Sequence, residues 1–424
     1  MRRWTVLLAL LLAPPAWAEG KPLTLDEVLA YADAPHPQLD KALAQREAAE
    51  AELALADSFN DVRLNLEGTL RTGRNPVFRD KFKDDNGVRL NLRKTLLDGG
   101  RSEATIAADR LDVQARDLQL LDTRAQRRIG LMSRFFDVLL SDLRYAADNE
   151  FMATDYVTWD DSRDRQRLGM LSTADMAALE AAYNESRIRR NDADRRVREK
   201  RLKLAAAMNR PNDLPNDVAD PDLASNNRPL PEFEPLLAAM EQGNPLLKAQ
   251  RQMLDAAQHR LTAIRAEDLP SVEFEAEAAT WSRETATRDD LRAGFNVVWP
   301  LYQGKRVDAR MAKEQAQFHL LQAQYEQMRL DMREALYETW QAIQYLRDTE
   351  RPAAMVHAAL RDAQLEKARA VYELEIKARL GPAMAETQAA LWRKRAVEYQ
   401  LALTWARLEA LVGSPIDASW GKAK

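Results

Sequence analysis

The four histidines are the side chains best suited to metal binding or general-base catalysis, and the sequence scatters them. None of them has a second histidine or a carboxylate at the spacing of a metal-binding motif: His36, His259, His319 and His357. Cysteine is absent, which excludes thiolate sites and disulfides. No Gly-rich phosphate loop and no Ser-His-Asp arrangement stands out. The sequence therefore predicts a protein without catalytic residues, metal or cofactor.

Two charged clusters have alternative interpretations. The first is a group of four aspartates: Asp155, Asp160, Asp161 and Asp164. It is typical of a solvated helix face, and the alternative is attraction of cations or contact with a partner. The second is the basic run 187–203, which contains acids four positions from its arginines and lysines. That spacing favours an exposed helix over a nucleic-acid-binding surface, and the formal net charge of -4 agrees with this.

The N-terminal residues have the pattern of a secretory signal peptide. Arg2 and Arg3 precede an apolar run at 4–13, and residues 16–18 form the small-x-small sequence of a cleavage site. The apolar run is shorter than the roughly 20 residues that a membrane-spanning helix needs. We therefore expect export from the cytoplasm and a mature chain that begins at Glu19.

Similar segments recur in the same order at a spacing of roughly 204 to 212 residues, which indicates an internal duplication. Arg167-Leu168-Gly169 recurs as Arg379-Leu380-Gly381, for example. A stretch rich in proline, asparagine and aspartate separates the copies and is typical of a connector. The expected organisation is a signal peptide at 1–18, a first repeat at 19–210, a Pro-rich linker at 211–235, a second repeat at 236–415 and a tail at 416–424.

Each repeat contains two segments in which apolar and polar residues alternate strictly, as in strands with one face of each kind. They lie at about 62–71, 87–96, 272–281 and 291–301. Several charged residues share the polar face: Arg63, Glu67, Arg89, Arg93, Glu273, Glu275 and Glu277.

These strands could be half-buried hairpins on a soluble core, or barrel strands with a lipid-facing surface and a wet, charged lumen. Four strands cannot close a barrel, because transmembrane barrels need at least about eight. The membrane interpretation, which we favour, therefore requires several chains. It places loops 72–86 and 282–290 outside the cell and Trp281 and Trp299 at the bilayer interface.

Apolar residues spaced by threes and fours predict long helical hairpins at 100–209 and 305–412. Helices of this length extend roughly 100 Å, and Pro352 predicts a kink or break in the second hairpin. In the first hairpin Gly169 is expected as a left-handed cap, with Ser172 starting the return helix. In the second, Gly381 is expected to end one helix and Pro382 to occupy the first turn of the next.

The ordered set of features resembles the TolC family of outer-membrane efflux and secretion channels. The features are the signal peptide, the duplication, a strand pair in each half, the Leu-x-x-Gly elements at 96–99 and 301–304, and the Gly-centred hairpin ends. The resemblance covers nearly the whole mature chain. It implies a mainly α fold with a β-barrel part, in which a homotrimer forms a twelve-stranded barrel in the outer membrane of a Gram-negative bacterium. A tunnel of long antiparallel helical hairpins would continue the barrel into the periplasm.

The resemblance also implies partners and site residues. The duct would conduct substrate passively from a periplasmic adaptor and an inner-membrane transporter, in a tripartite efflux pump or a type I secretion system. The hairpin ends implied as adaptor-docking tips are Arg167, Leu168, Gly169, Leu171, Ser172, Arg379, Leu380, Gly381 and Pro382. Family members often narrow the periplasmic entrance with acids six and nine residues past the second glycine. Here Thr387 and Ala390 hold those positions, with Glu386 adjacent, so the acids are missing.

Two other functions remain open on the residues. A periplasmic coiled-coil adaptor or scaffold would explain the long helices, although not the two pairs of alternating strands. A periplasmic hydrolase would need a nucleophile or metal cluster, and none is visible in the sequence.

Overall fold

The structure, a computed structural model, describes residues 21–74, 82–282, 289–374, 380–416 and 420. The expected signal peptide, most of the C-terminal tail and parts of the two strand-connecting loops lie outside the described residues. The chain divides into two compact units, and each combines segments of both predicted repeats. Unit 1 comprises Met1–His36, Gln126–Leu230 and Gln341–Arg407, and unit 2 comprises Pro37–Ala125, Pro231–Trp340 and Leu408–Lys424.

Helices account for most of the described chain. In order they are α1 (Leu25–Ala30), α2 (Pro37–Ser58), α3 (Arg101–Arg167), α4 (Thr173–Ala207), α5 (Phe233–Gly243), α6 (Pro245–Arg265), α7 (Arg306–Tyr345), α8 (Arg351–Glu373) and α9 (Leu380–Val412). Helix α2 comprises 22 residues and has a proline as its first residue, a position where the missing N–H of proline costs nothing. A capping box starts α1: the Thr24 side chain accepts from the Glu27 N–H, and the Glu27 carboxylate accepts from the Thr24 N–H. Among the described helices, none has the length and apolarity needed to cross a lipid bilayer.

Pro352 changes the helix type instead of ending the helix. Residues Leu346–Glu350 form a turn of π-helix between α7 and α8, in which the Arg351 N–H bonds the Leu346 carbonyl five positions back. Proline has no N–H to donate, and its ring collides with the carbonyl four residues earlier in an α-helix. The wider turn absorbs both effects, as π-bulges do elsewhere.

Unit 2 contains the sheet. Its strands are β1 (Arg63–Thr69), β4 (Gly87–Leu97), β5 (Ser271–Trp281) and β6 (Leu291–Val298), paired antiparallel in that spatial order. A two-stranded ribbon, β2 (Thr72–Gly73) with β3 (Lys83–Asp84), extends the β1–β4 connection. One register shift, a β-bulge between Thr95 and Leu97, interrupts the β4–β5 ladder near the end that leads into α3.

The core of unit 1 is built from α1, α3, α4 and α9. The rings of Phe136 and Tyr399 stack with centroids 4.5 Å apart, and the Tyr399 hydroxyl donates to Asp220 Oδ1 at 2.7 Å. Burial, together with that carboxylate, raises the pKa of Tyr399. The buried Arg127 guanidinium donates to the carbonyls of Tyr31 and Ala32, which directly follow α1.

The Pro-rich linker packs into this core, so its interpretation as an unpacked connector is wrong. The Leu23 N–H donates to the Asp217 carbonyl at 3.0 Å, and Val218 is buried beside Leu23. Farther along, the buried Asn226 amide donates to the Glu398 side chain at 2.9 Å. Proline removes backbone donors, but the residues between prolines still find partners for their polar groups, as buried backbone requires.

Candidate conduit surfaces

The strand register gives the sheet two chemically different faces. Leu66 lies opposite Leu90, and the next residue, Glu67, lies opposite Arg89. The side chains of residues paired across antiparallel strands point to the same side of the sheet. Because successive residues of a strand alternate between the two sides, the register assigns every paired residue to one face or the other. The apolar face carries Leu64, Leu66, Gly68, Val88, Leu90, Leu92, Lys94, Phe274, Ala276, Ala278, Thr280, Leu291, Ala293, Phe295 and Val297. The alternation in the sequence therefore predicted correctly that each of the four strands has one apolar face, although the bulge between Thr95 and Leu97 brings Leu97 onto this face in place of Leu96.

The apolar face is open to its surroundings in the single chain. Leu66 is 72% exposed and Phe295 is 70% exposed. A continuous exposed apolar surface of this kind marks a contact with protein or lipid. The face therefore needs an apolar partner that the single chain does not supply.

The opposite face carries ion pairs between neighbouring strands. Arg89 Nη2 lies 2.8 Å from Glu67 Oε2, Arg93 Nη2 lies 2.8 Å from Glu275 Oε1, and Arg292 Nη2 lies 3.0 Å from Glu277 Oε2. The same face holds Arg63, opposite Arg93, and Glu273, whose carboxylate lies 3.6 Å from Arg93 Nε.

This charged face is balanced, with four arginines and four glutamates in the described strands: Arg63, Arg89, Arg93, Arg292, Glu67, Glu273, Glu275 and Glu277. Sequence reasoning left Arg292 out of the candidate lumen residues. Its position in β6, opposite a glutamate of β5, is the signal that could have included it. Such a surface is wettable yet has little net field, because the charges balance and because Arg89, Arg93 and Arg292 each have a glutamate carboxylate within 3.0 Å.

Trp281 belongs to the charged face, so the prediction that it lies at a bilayer interface is wrong. It pairs with Gly87, and its ring covers that glycine so closely that a Cβ there would lie 2.3 Å from the ring. The Arg89 guanidinium lies 5.8 Å from the centroid of the same ring, in cation–π geometry. Trp299, one residue beyond β6, is 63% exposed.

The hairpin end between α3 and α4 has the expected caps. Gly169 has a φ of 73°, in the left-handed region. Ser172 is the N-cap of α4, and its side chain accepts from the Asp175 N–H at 3.1 Å. Leu168 is 72% exposed, Leu171 is half-buried, and Arg167 forms an ion pair with Asp164. The tip therefore presents an apolar side chain on a firmly capped turn.

The end between α8 and α9 differs, and the expectation that Gly381 ends a helix is wrong. Helix α8 ends at Glu373, Arg379 lies outside the described residues, and α9 already begins at Leu380. Gly381 is helical, and a Cβ on it would lie 2.9 Å from Thr154 Oγ1 on α3. It is therefore a close-approach glycine, whereas Gly169 is a turn glycine with open space around it. Pro382 does lie in the first turn of α9.

The three residues expected near a periplasmic entrance are engaged within the chain. Glu386 forms an ion pair with Arg361 of α8, the Thr387 hydroxyl lies 3.2 Å from the Arg361 carbonyl, and Ala390 is buried. This end of α9 is therefore joined to α8 by polar contacts.

The side chains considered for chemistry do not converge. In the described ranges, no group of three or more His, Asp or Glu side chains could hold a metal ion. Asp160 pairs with Arg163 at 3.3 Å on one helix face, and Asp192 pairs with Arg196 at 2.8 Å. These contacts agree with the interpretation of both charged clusters as solvated helix faces.

Residues 236–414 match the family model for outer membrane efflux proteins. The match covers the predicted second repeat, less than half of the chain, and shows that this part is similar to that family. The family consists of outer-membrane efflux channels, which are conduits and not enzymes. The comparison with curated protein sequences returned no match.

Solved structures share the fold. CusC, described in terms of folding and transmembrane channel formation, is 17% identical with a TM-score of 0.75, over 92% of this chain and 92% of that chain. The Campylobacter jejuni CmeC outer membrane channel is 13% identical with a TM-score of 0.76, over 93% and 86%. The open state of the Neisseria gonorrhoeae MtrE outer membrane channel is 15% identical with a TM-score of 0.71, over 93% and 90%.

Proposed function

We propose that three copies of this chain form one duct, with a twelve-stranded β-barrel in the outer membrane and a tunnel of helical hairpins in the periplasm. The sheet carries the proposal: within the described residues, β1 and β6 each pair with a strand on one side only. Such edges pair readily with other chains. Three sheets joined at these edges supply twelve strands, above the minimum of about eight for a transmembrane barrel.

In this barrel each face of the sheet would meet an environment that suits its chemistry. The apolar face would contact lipid, and the charged face would line a water-filled lumen, as the alternation in transmembrane barrel strands requires. The four arginines and four glutamates of the charged face give the lumen no formal net charge. The barrel would therefore conduct cargo of either sign and leave selection to other components.

The internal duplication belongs to the same proposal. Each half contributes one strand pair and one helical hairpin, so three chains of two similar halves would build a nearly sixfold duct. The domain limits at 19–210, 211–235 and 236–415 remain expectations on which this division rests.

The duct would carry out no chemistry and would depend on a periplasmic adaptor and an inner-membrane transporter, in a tripartite pump or a type I secretion system. The hairpin ends are the proposed docking sites. Exposed Leu168 on a capped turn supports this for the first tip. In the second tip, Leu380, Gly381 and Pro382 start α9, close to the contact between Glu386 and Arg361 that we propose lies at the entrance.

The native mass of protein extracted by detergent from the outer-membrane fraction tests the assembly. We expect about three times the mass of one chain, together with pores in planar bilayers that carry anions and cations at similar rates. A monomer or dimer in the soluble periplasmic fraction would overturn the barrel and favour the adaptor or scaffold function.

A further inference from the structure

The apolar face of the sheet contains one charged side chain in its four described strands, and that side chain is Lys94. It lies opposite Phe274 of β5, which in turn lies opposite Phe295 of β6. The two phenylalanine rings contact each other at 5.6 Å between centroids. Lys94 is exposed, so its ammonium emerges beside an aromatic pair on the face that otherwise carries apolar and small residues.

Lys94 also lies near one end of the sheet. Strand β4 ends at Leu97 and leads directly into α3. Only one further apolar row follows, in which Leu97 lies opposite Val272 and Val272 opposite Val297. Trp299 follows β6 at the same end and is 63% exposed. This end precedes the long helices, so it is the periplasmic end in the proposed duct.

A lysine on a lipid-facing surface has a strong depth preference. At the bilayer midplane it is strongly destabilising, whereas near an interface it costs little or nothing. Its long apolar stem can lie along the sheet while the ammonium reaches polar surroundings. Phospholipid headgroups supply an anionic phosphate there, and an ammonium–phosphate contact is a charge-assisted hydrogen bond. Indole rings such as that of Trp299 favour the same depth.

We propose that Lys94 binds the phosphate of a phospholipid headgroup in the periplasmic leaflet of the outer membrane, and that this contact sets the depth of the sheet. The inference rests on the proposed function, because it requires the apolar face to lie in lipid. It adds a lipid class and a residue that binds it.

The distance to the opposite end of the sheet supports the assignment. An apolar band about 25 Å tall, crossed by strands tilted about 45°, takes about eleven residues at about 3.3 Å each. Counting eleven residues back from Lys94 passes the start of β4 at Gly87 and reaches the ribbon β2–β3. Next to that ribbon, Arg71 Nε donates to Asp85 Oδ2 at 2.6 Å. Charged groups therefore return to the strands where the second bilayer boundary is expected.

The absence of cysteine from the chain allows a clean depth measurement. A single Val297→Cys substitution places a spin label on the row below Lys94, on a strand that does not touch β4. The labelled full chain is reconstituted in vesicles of phosphatidylethanolamine and phosphatidylglycerol, and label depth is read from its relative accessibility to oxygen and to a water-soluble nickel chelate. The comparison uses Lys94→Leu and Lys94→Arg, with Lys313→Leu on α7 as a matched control.

We expect Lys94→Leu to move the label toward the bilayer centre by about one row, or about 5 Å, and expect Lys94→Arg and Lys313→Leu to leave it in place. In vesicles of a galactosyl diacylglycerol, which has no phosphate, the difference between Lys94 and Lys94→Leu should disappear. If the trimer inserts and the label depth is the same with Lys94→Leu, this inference is overturned, whereas the proposed duct is not. A shift that persists without phosphate overturns the headgroup assignment. A chain that does not insert at all overturns the duct and this inference together.

Discussion

Replacing Leu66 with lysine tests which face of the sheet meets lipid. Leu66 lies opposite Leu90, four residues along β4 from Lys94, which corresponds to about 10 Å of depth at the rise and tilt of barrel strands. It therefore lies close to the midplane of an apolar band about 25 Å tall. A lysine there costs about 2 to 4 kcal/mol per chain, or about 6 to 12 kcal/mol for three chains. We expect Leu66→Lys to abolish the membrane-inserted trimer.

Asn65 offers a matched control, because it is the preceding residue of the same strand and lies on the charged face opposite Asn91. Both side chains are exposed in the single chain, so a soluble hairpin would tolerate either lysine about equally. The assay is the amount of trimer in the outer-membrane fraction, measured by native electrophoresis after mild detergent extraction. Equal trimer yields from Leu66→Lys and Asn65→Lys would refute the lipid-facing assignment.

Three further predictions concern the helical hairpins. Leu168→Glu places a charge on the exposed apolar tip, so export should fall at least tenfold while the amount of trimer stays unchanged; unaltered export would remove the tip from the docking surface. Arg361→Glu or Glu386→Arg alone should raise single-channel conductance because each breaks the pair that joins α8 to α9, and the double reversal should restore it; three equal conductances would exclude a role at the entrance. In Gly381→Ala the new methyl group meets Thr154 Oγ1, so thermal unfolding should show a loss of stability. Adding Thr154→Ala should recover about 1 kcal/mol of that loss. Additive effects of the two substitutions would contradict the close approach.

The strands were predictable from the sequence because the alternation has a period of two and both faces have distinct chemistry. An expected strand at about 87–96 and an observed β4 at Gly87–Leu97 illustrate the agreement. The ion-pair partners of the charged residues could not be predicted from the sequence in the same way. Arg93 contacts Glu273 and Glu275 of β5, about 180 residues later in the chain, and only the register of two strands from different halves brings these charges together.

The two Arg-Leu-Gly segments show why a repeated motif does not guarantee a repeated structure. Gly169 adopts the left-handed conformation at a turn, whereas Gly381 lies in a helix against Thr154. Glycine serves both purposes because it lacks a Cβ. Its backbone can adopt the left-handed conformation, and a neighbouring element can approach its backbone closely. The sequence alone cannot distinguish these uses, since the second depends on a helix that is distant in the chain.

Local patterns in the sequence therefore determined the caps of the turn between α3 and α4, the strands and the two faces of each strand. These properties depend on residues within a few positions of each other, where hydrogen bonding and periodicity act directly. The tertiary structure alone decided that Trp281 covers Gly87 on the charged face, that the Pro-rich segment packs into the core, and that Glu386 pairs with Arg361. Each of these contacts joins different elements of the chain. Packing between elements overrides local preference, because the arrangement of whole helices and strands is what buries their apolar surfaces.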